Sequence, residues 1–189
     1  MILWRLHMTM NDQRKGIIIK FSQWTAVSSS HRGDIRDNET LLSLLELCDF
    51  NKLFHGTVPI SKDEFTDWHR KNTTKICSNN PEISIGWAAK LINVYLKTRV
   101  YVAGDGRPDL EKFIHPPIDN LLWNRVKVKY PSLVKKTNFK SIKEITNYED
   151  DYEPLIQVCR DIALKKKWLL IEVDSLWNPF QKKVWVNKQ

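Results

Sequence analysis

The sequence predicts a mainly α fold, and its composition, its length and the spacing of its apolar residues all support this. The 189 residues include six glycines but eight tryptophans, which disfavours a turn-rich β fold and suits helices packed by large side chains. Apolar residues recur at helical spacing in several segments, and the length suits one domain. We expect a single-domain helical bundle over residues 39–189, with possible short strands near the termini. An N-terminal arm or cap would occupy residues 1–38.

The first part of the chain is the least regular. Residues 16–21 read G-I-I-I-K-F, which fits a short strand or an apolar anchor, and residues 28–38 have the composition of a loop. The first residues contain neither a continuous apolar stretch nor a small-residue cleavage site, so a secretory signal is not expected.

Two shorter helices should follow. Asn38 can cap a helix over residues 39–48, whose five leucines give a wide apolar face. Ser61 opens a Ser-x-x-Glu capping box and predicts a helix over residues 62–70. The polar stretch at residues 73–80 is expected to be a loop.

The main helix should begin at residue 81, because Asn80-Pro81 combines an N-cap residue with proline at the first helical position. It should run to about residue 102, with an irregularity near Gly86. Two parallel stripes follow from its spacing. The apolar stripe consists of Ile85, Ala89, Ile92 and Leu96, and the polar stripe of Gly86, Lys90, Asn93 and Lys97.

A double proline separates this helix from the next one. Residues 114–117 must be extended, because a residue that precedes proline is pushed out of the α region. Pro117 can then open a helix over residues 118–128, and we expect Asp119 to cap or open it.

The last part of the chain predicts one more long helix. Thr146 opens a second capping box, and the basic run at residues 165–167 suits the end of the helix that follows. Residues 168–177 fit either a buried helix or a strand, and residues 184–186 fit a final short strand.

Charge favours an anionic partner. The formal net charge is +8 and the sequence pI is about 9.4, which points first to nucleic acid. Solubility alone is the alternative explanation. Aromatic residues also alternate with basic ones at residues 68–71, 95–101 and 123–130, as in surfaces that stack bases and contact phosphates. The ordinary alternative is that these aromatic side chains lie in the core.

Several classes of protein are disfavoured. The three cysteines are far apart, so neither a zinc knuckle nor a disulfide framework is expected, and a reducing, cytoplasmic location follows. No apolar run reaches the roughly 20 residues of a membrane span. The five histidines lack ligand spacing, and phosphate-loop and dinucleotide motifs are missing. We expect no metal, no cofactor and no membrane partner.

The chemistry-bearing residues concentrate around the double proline. Lys90 lies on the polar stripe and Asp119 follows the prolines. A desolvated lysine amine can attack a sugar carbon, and a carboxylate can stabilise the developing oxocarbenium charge. This pair suits the excision of a base from DNA.

The segment around these residues resembles the helix-hairpin-helix DNA glycosylases. I-G-W-A-A-K-L-I-N-V-Y-L followed by P-P-I-D-N-L-L-W is similar in order to that family's helix with a catalytic lysine and its turn in which Pro or Val precedes the catalytic aspartate. The resemblance implies catalytic roles for Lys90 and Asp119. It covers residues 84–123, with one glycine in the hairpin instead of two and a longer spacing between lysine and aspartate. The segment is also similar to uncharacterised bacterial proteins with a G-x-A-x-K-x-x-N helix and a Pro-His-Asp turn.

The sequence therefore supports two hypotheses. The first is a nucleic-acid-binding base-excision enzyme, with DNA favoured over RNA. Its substrate-contacting residues would be Asn93, Lys97, His115, Trp87 and Trp123. The second is a non-enzymatic helical module that binds nucleic acid or protein, in which the H-P-P-I-D turn is structural.

Overall fold

Seven α-helices make up most of the chain that the computed structural model describes, namely residues 12–30, 37–134 and 139–177. The helices are α1 (Asp12–Ser30), α2 (Asn38–Glu46), α3 (Asn51–Phe54), α4 (Lys62–Asn79), α5 (Ile85–Leu96), α6 (Asn120–Lys129) and α7 (Glu153–Lys166). These residues contain no strand, so the prediction of a mainly α fold is confirmed.

Helix α1 corrects the expectation for the first part of the chain. Residues 16–21 are helical, and the helix continues through Ser30 into the segment that was expected to be a loop. One side of α1 packs against α5 and α2, where Ala26 and Val27 are buried in the core. Tertiary packing has therefore overridden the strand preference of the isoleucine run.

The caps of α2 and α4 differ from expectation in detail. Asp37, not Asn38, caps α2 by accepting a hydrogen bond from the backbone N of Thr40 at 2.8 Å. Ser61 caps α4 as predicted. Helix α4 continues to Asn79, so the loop expected at residues 73–80 is wrong. The extra turns persist because buried side chains such as Ile76 anchor them.

The central helix α5 begins later than predicted. Ser84 caps it, whereas residues 81–83 form a turn. Gly86 lies in regular helix, and the irregularity is at the other end, where residues Lys97–Val102 form a π-helix. Gly86 still has a packing role, because a Cβ placed there would lie 2.3 Å from the carbonyl oxygen of Ile142.

The double proline has the predicted effect. Residues 114–119 form no helix, so α6 begins at Asn120 and not at residue 118 as predicted. Asp119 is extended and caps α6 by accepting a hydrogen bond from the backbone N of Leu122 at 2.8 Å. The prediction that Asp119 caps this helix is confirmed.

The last segments are helical as well. Asn147, not Thr146, caps a π-helix (Tyr148–Tyr152) that continues into α7, and α7 ends within the predicted basic run. Residues Leu170–Leu176 form a 3-10 helix, which excludes the strand alternative for this segment. The strand expected at residues 184–186 lies outside the described residues.

Helix α5 lies between two apolar clusters. Ala88, Leu91 and Ile92 pack with α1, α2 and α4 in one cluster, whereas Ile85 and Ala89 pack with α6 and α7 in the other. The same helix therefore supports both halves of the core, and its polar stripe lies where the halves meet.

Candidate functional site at the junction of α5 and α6

The structure brings the two predicted catalytic residues together. Lys90 Nζ on α5 lies 3.5 Å from Asp119 Oδ2 at the start of α6. The two side chains keep 11% and 22% of their exposure, so the ion pair is largely but not fully withdrawn from water. Asp119 uses its other oxygen, Oδ1, to cap α6, and this hydrogen bond fixes the orientation of the carboxylate.

A second ion pair lies beside the first. Lys97 lies two turns after Lys90, at the start of the π-helix that continues α5, and its Nζ donates a hydrogen bond to Asp174 Oδ2 at 2.9 Å. Asp174 belongs to the 3-10 helix Leu170–Leu176. Trp87 completes the group, because Lys90 Nζ lies 5.2 Å from the centre of its ring, within range of a cation–π contact. Four of the seven predicted site residues therefore share one junction.

The two ion pairs influence each other. Burial raises the pKa of Asp174 above its ordinary value, and the negative charge of Asp119 raises it further, while Lys97 and Lys90 oppose the rise. Such mutual effects require that the four charges lie within electrostatic reach of one another. We call Lys90, Asp119, Lys97 and Asp174 the charged cluster.

Asn93 does not face solvent, although it lies on the same stripe between Lys90 and Lys97. Its side chain is completely buried. Its Nδ2 donates to Tyr152 Oη at 2.8 Å and to the carbonyl oxygen of Pro116 at 3.3 Å, and its Oδ1 lies 2.8 Å from His69 Nε2. Asn93 was expected to contact substrate, but its side chain is instead part of the core.

The contacts of Asn93 determine the direction of a buried hydrogen-bond chain. A carbonyl only accepts, so the amide atom facing Pro116 must be nitrogen, and Oδ1 must accept from His69 Nε2–H. A neutral His69 then accepts at Nδ1 from Tyr148 Oη, at 2.8 Å. Tyr152 Oη, which receives the Asn93 amide, donates onward to His115 Nδ1 at 3.1 Å.

This chain of five side chains, Tyr148, His69, Asn93, Tyr152 and His115, is called the buried network. Burial lowers the pKa of His69 to about 4. Burial also lowers the pKa of His115 well below its ordinary value, with a contribution from His69. Both histidines are therefore neutral near pH 7, which agrees with the direction of the hydrogen bonds.

Two further predicted substrate contacts are also corrected. His115 is 1% exposed and belongs to the buried network, and Trp123 is 1% exposed and stacks on Phe139 in the core. Both were placed near the site by their position in the sequence. They do lie near the double proline, but their side chains point inward.

The aromatic residues of the three basic-aromatic segments also lie mainly inside. Trp68, Tyr95 and Trp123 are buried in the core. Moreover, the described residues contain 22 of the 30 Lys and Arg and 21 of the 22 Asp and Glu, so they are almost neutral together. The excess positive charge is carried by the parts of the sequence outside them.

A groove of about 540 Å³ lies elsewhere, where α3 and the residues on either side of it face α4. Its lining includes Asp49, Lys52, Glu64 and Lys71, and none of the seven predicted site residues. Trp68 and Asn72 at its base already bond to the backbone of Asp49.

Other site types find no support in residues 12–30, 37–134 and 139–177. Among them no three His, Cys, Asp or Glu side chains gather closely enough to hold a metal ion. Nor does any helix in these ranges have the length and apolar character needed to cross a membrane. Cys48, Cys77 and Cys159 are free thiols.

Sequence reasoning missed Asp174, His69, Tyr148 and Tyr152. Asp174 lies in a segment, residues 168–177, whose apolar density outweighed its two acidic residues, and only the fold brings Asp174 to Lys97. His69 had a usable signal, since it follows Phe65 by four residues on the face of α4 that enters the core. Tyr148 and Tyr152 had no such signal, because their hydrogen-bond partners in the network are 37 to 79 residues distant in the chain.

Comparison with known proteins does not assign the chain to a family. No protein-family model matches it, and no curated protein or solved structure matches it significantly.

Proposed function

We propose that this protein binds nucleic acid and that Lys90 and Asp119 form a centre for cleaving the bond between a base and its sugar. The observation that carries the proposal is the 3.5 Å approach of Lys90 Nζ to Asp119 Oδ2 at the junction of α5 and α6. The two residues are separated by the π-helix and a long loop. They meet nonetheless, as the resemblance to the helix-hairpin-helix glycosylases implies.

The arrangement suits this chemistry in three respects. The carboxylate of Asp119 is held by its cap bond, so it is oriented before any substrate arrives. The amine of Lys90 can attack the sugar carbon after passing its proton to water, and the base departs with the electrons of the broken C–N bond and takes up a proton from water. The bond from the same carbon to the ring oxygen then breaks, and the oxygen gains the proton of the attached nitrogen, which leaves an imine on an opened sugar. Both groups keep some exposure, which a reacting pair needs.

Borohydride trapping on a panel of damaged duplexes tests the proposal, because it reports a covalent imine between a lysine and an opened sugar. Lys90→Ala should abolish trapping. Lys90→Arg should abolish it too, although arginine keeps the ion pair with Asp119. Asp119→Asn should slow base release strongly, although asparagine caps a helix as well as aspartate does.

Lys112→Ala is the matched control. Lys112 pairs with Asp109 at 2.7 Å on the surface, so the variant removes one paired positive charge away from the junction. Trapping should be unchanged. If Lys90→Arg still traps, or if Asp119→Asn releases base at the normal rate, the catalytic assignment is wrong.

The cap bond of Asp119 also favours a second candidate, a non-enzymatic interaction module. In that case the ion pair fastens α5 to α6 and has no substrate. Nucleic-acid binding without base release on any duplex, together with loss of stability in the Asp119 and Lys90 variants, would support this alternative.

A further inference from the structure

Helix α1 carries an exposed aromatic stripe on the side that faces away from α5. Ile17, Phe21 and Trp24 are 68%, 54% and 64% exposed, whereas Ser22, Ala26 and Val27 on the other side are buried. The three residues follow i, i+4, i+7 spacing and therefore share one face. The rings of Phe21 and Trp24 stack at 5.9 Å with an angle of 27° between their planes.

Two cations border this stripe. At about 100° per residue, Arg14 falls beside Phe21 and Lys20 beside Trp24, one on each side of the apolar line. Both are exposed. The acidic residue of α1, Asp12, falls on the opposite side of the helix.

We infer that this face of α1 is a binding surface for single-stranded nucleic acid, with Phe21 and Trp24 stacking on bases and Arg14 and Lys20 contacting phosphates. The inference rests on the proposed nucleic-acid function but does not involve the charged cluster. Aromatic side chains bordered by cations are how proteins hold single strands without reading their sequence.

The charges decide against a second copy of this chain as the occupant. If two α1 faces paired about a two-fold axis, the bordering cations of both copies would approach each other with no acidic residue on the face to offset them. A lipid surface is less well matched. The apolar stripe covers only two turns, ending before Ser28, and lipid-binding helices bury a larger apolar face.

The experiment is a titration of labelled oligothymidine with the full chain, followed by fluorescence anisotropy. Trp24→Ala should weaken binding about tenfold, because stacking on one base is worth roughly 1–3 kcal/mol. Trp24→Tyr should restore most of the affinity. Trp24→Leu should not, because leucine keeps the apolar volume but lacks a ring face. Arg14→Ala should lower the salt dependence of binding.

Leu164→Ala is the control, since Leu164 is an 81% exposed apolar residue on α7 beside lysines. It should bind normally. If the chain binds oligothymidine but Trp24→Ala binds as well as the natural sequence, the inference about α1 is wrong while nucleic-acid binding stands. If the chain binds no nucleic acid at low salt, the proposed function also fails. Binding to anionic vesicles that Trp24→Leu retains would assign the face to lipid and overturn the inference.

Discussion

The buried network and the charged cluster share one line of residues on α5 and the π-helix that continues it, but the environments of these residues differ. Lys90, Asn93 and Lys97 follow one another along the helix. The amide between them is buried among neutral partners, and the two lysines on either side reach carboxylates that keep 22% and 18% of their exposure. Side-chain length decides the difference. Asparagine is short and stays between the packed helices, whereas lysine extends its ammonium group to their edge.

The buried network serves stability, whereas the charged cluster contains the groups suited to chemistry. Every hydrogen bond of the network is made inside the protein, so its members hold α4, α5 and the double-proline turn together. The charged cluster touches water and contains groups that can react. We expect substitutions in the network to affect mainly stability, and substitutions in the cluster to affect stability less.

Asn93→Ala should have the largest effect. The substitution removes the partners of His69 Nε2–H and of the Pro116 carbonyl and leaves them buried. Each such group costs about 1–3 kcal/mol, so we expect a loss of about 3 kcal/mol or more in the free energy of unfolding. Urea denaturation measures it. Asn124→Ala, at an exposed position on α6, should change stability by less than about 0.5 kcal/mol. Equal effects of the two variants would contradict the assignment of the network as a structural core.

The neutral histidines predict a specific pH dependence. The pKa of His69 is about 4 when folded, against 6.5 for an ordinary histidine, so between these values the unfolded chain binds more protons. Stability should therefore be complete above pH 6.5 and fall as the pH drops towards 4, by about 2 kcal/mol from His69 at pH 5. His115 adds to the loss in the same direction.

Urea denaturation at pH 7 and pH 5 tests this. His69→Gln should flatten the pH dependence, whereas His55→Gln, at an exposed position, should leave it unchanged. An NMR titration in which the His69 ring gains its proton near pH 6.5 would show that the network is not closed to water.

Much of the helical fold could be predicted from local rules, because caps and prolines act on their neighbours. Ser61 and Asp119 cap helices as their positions indicate. The predicted start of α5 at Asn80-Pro81 was wrong because Ser84 is also an N-cap residue. The packing of Gly86 against Ile142 favours the later start. The prediction for residues 16–21 was wrong because a continuous run of apolar residues shows neither helical nor strand periodicity. Packing against α5 favours the helix.

The candidate site was predictable only in part. Lys90 and Asp119 meet as expected. Asn93 was misassigned because a sequence stripe shows which side chains share a face but not whether that face is covered. His115 and Trp123 were misassigned because nearness to the double proline does not show which way a side chain points. Residues of α4 and of the π-helix Tyr148–Tyr152 contact Asn93 and His115. Phe139 stacks on Trp123, and all of these partners lie outside the segment around the double proline.

Two variants of Asp119 should measure separately what it contributes to stability as a helix cap and as an ion-pair partner. Asp119→Asn keeps the cap bond to Leu122 but removes the charge beside Lys90, and should cost about 1 kcal/mol. Asp119→Ala removes both and should cost about 1 kcal/mol more. Urea denaturation of both variants at pH 7 gives the difference. If the two variants are equally stable, the cap contributes nothing and the orientation of the carboxylate needs another cause.

The smallest effect is expected at Asp174. Burial raises its pKa when folded, so its favourable contribution is complete at acidic pH and is lost as the pH rises through the folded value. At pH 7 the ionised carboxylate is therefore a cost, which its bond to Lys97 partly offsets. Asp174→Asn removes the cost and the ion pair together and should change stability by less than about 1 kcal/mol. A double-mutant cycle with Lys97→Met measures the coupling between the two side chains, which we expect to be favourable but small. A loss above about 2 kcal/mol for Asp174→Asn would mean that this pair anchors the 3-10 helix as firmly as the network anchors α5. The contrast between a stabilising core and a reactive edge would then not hold.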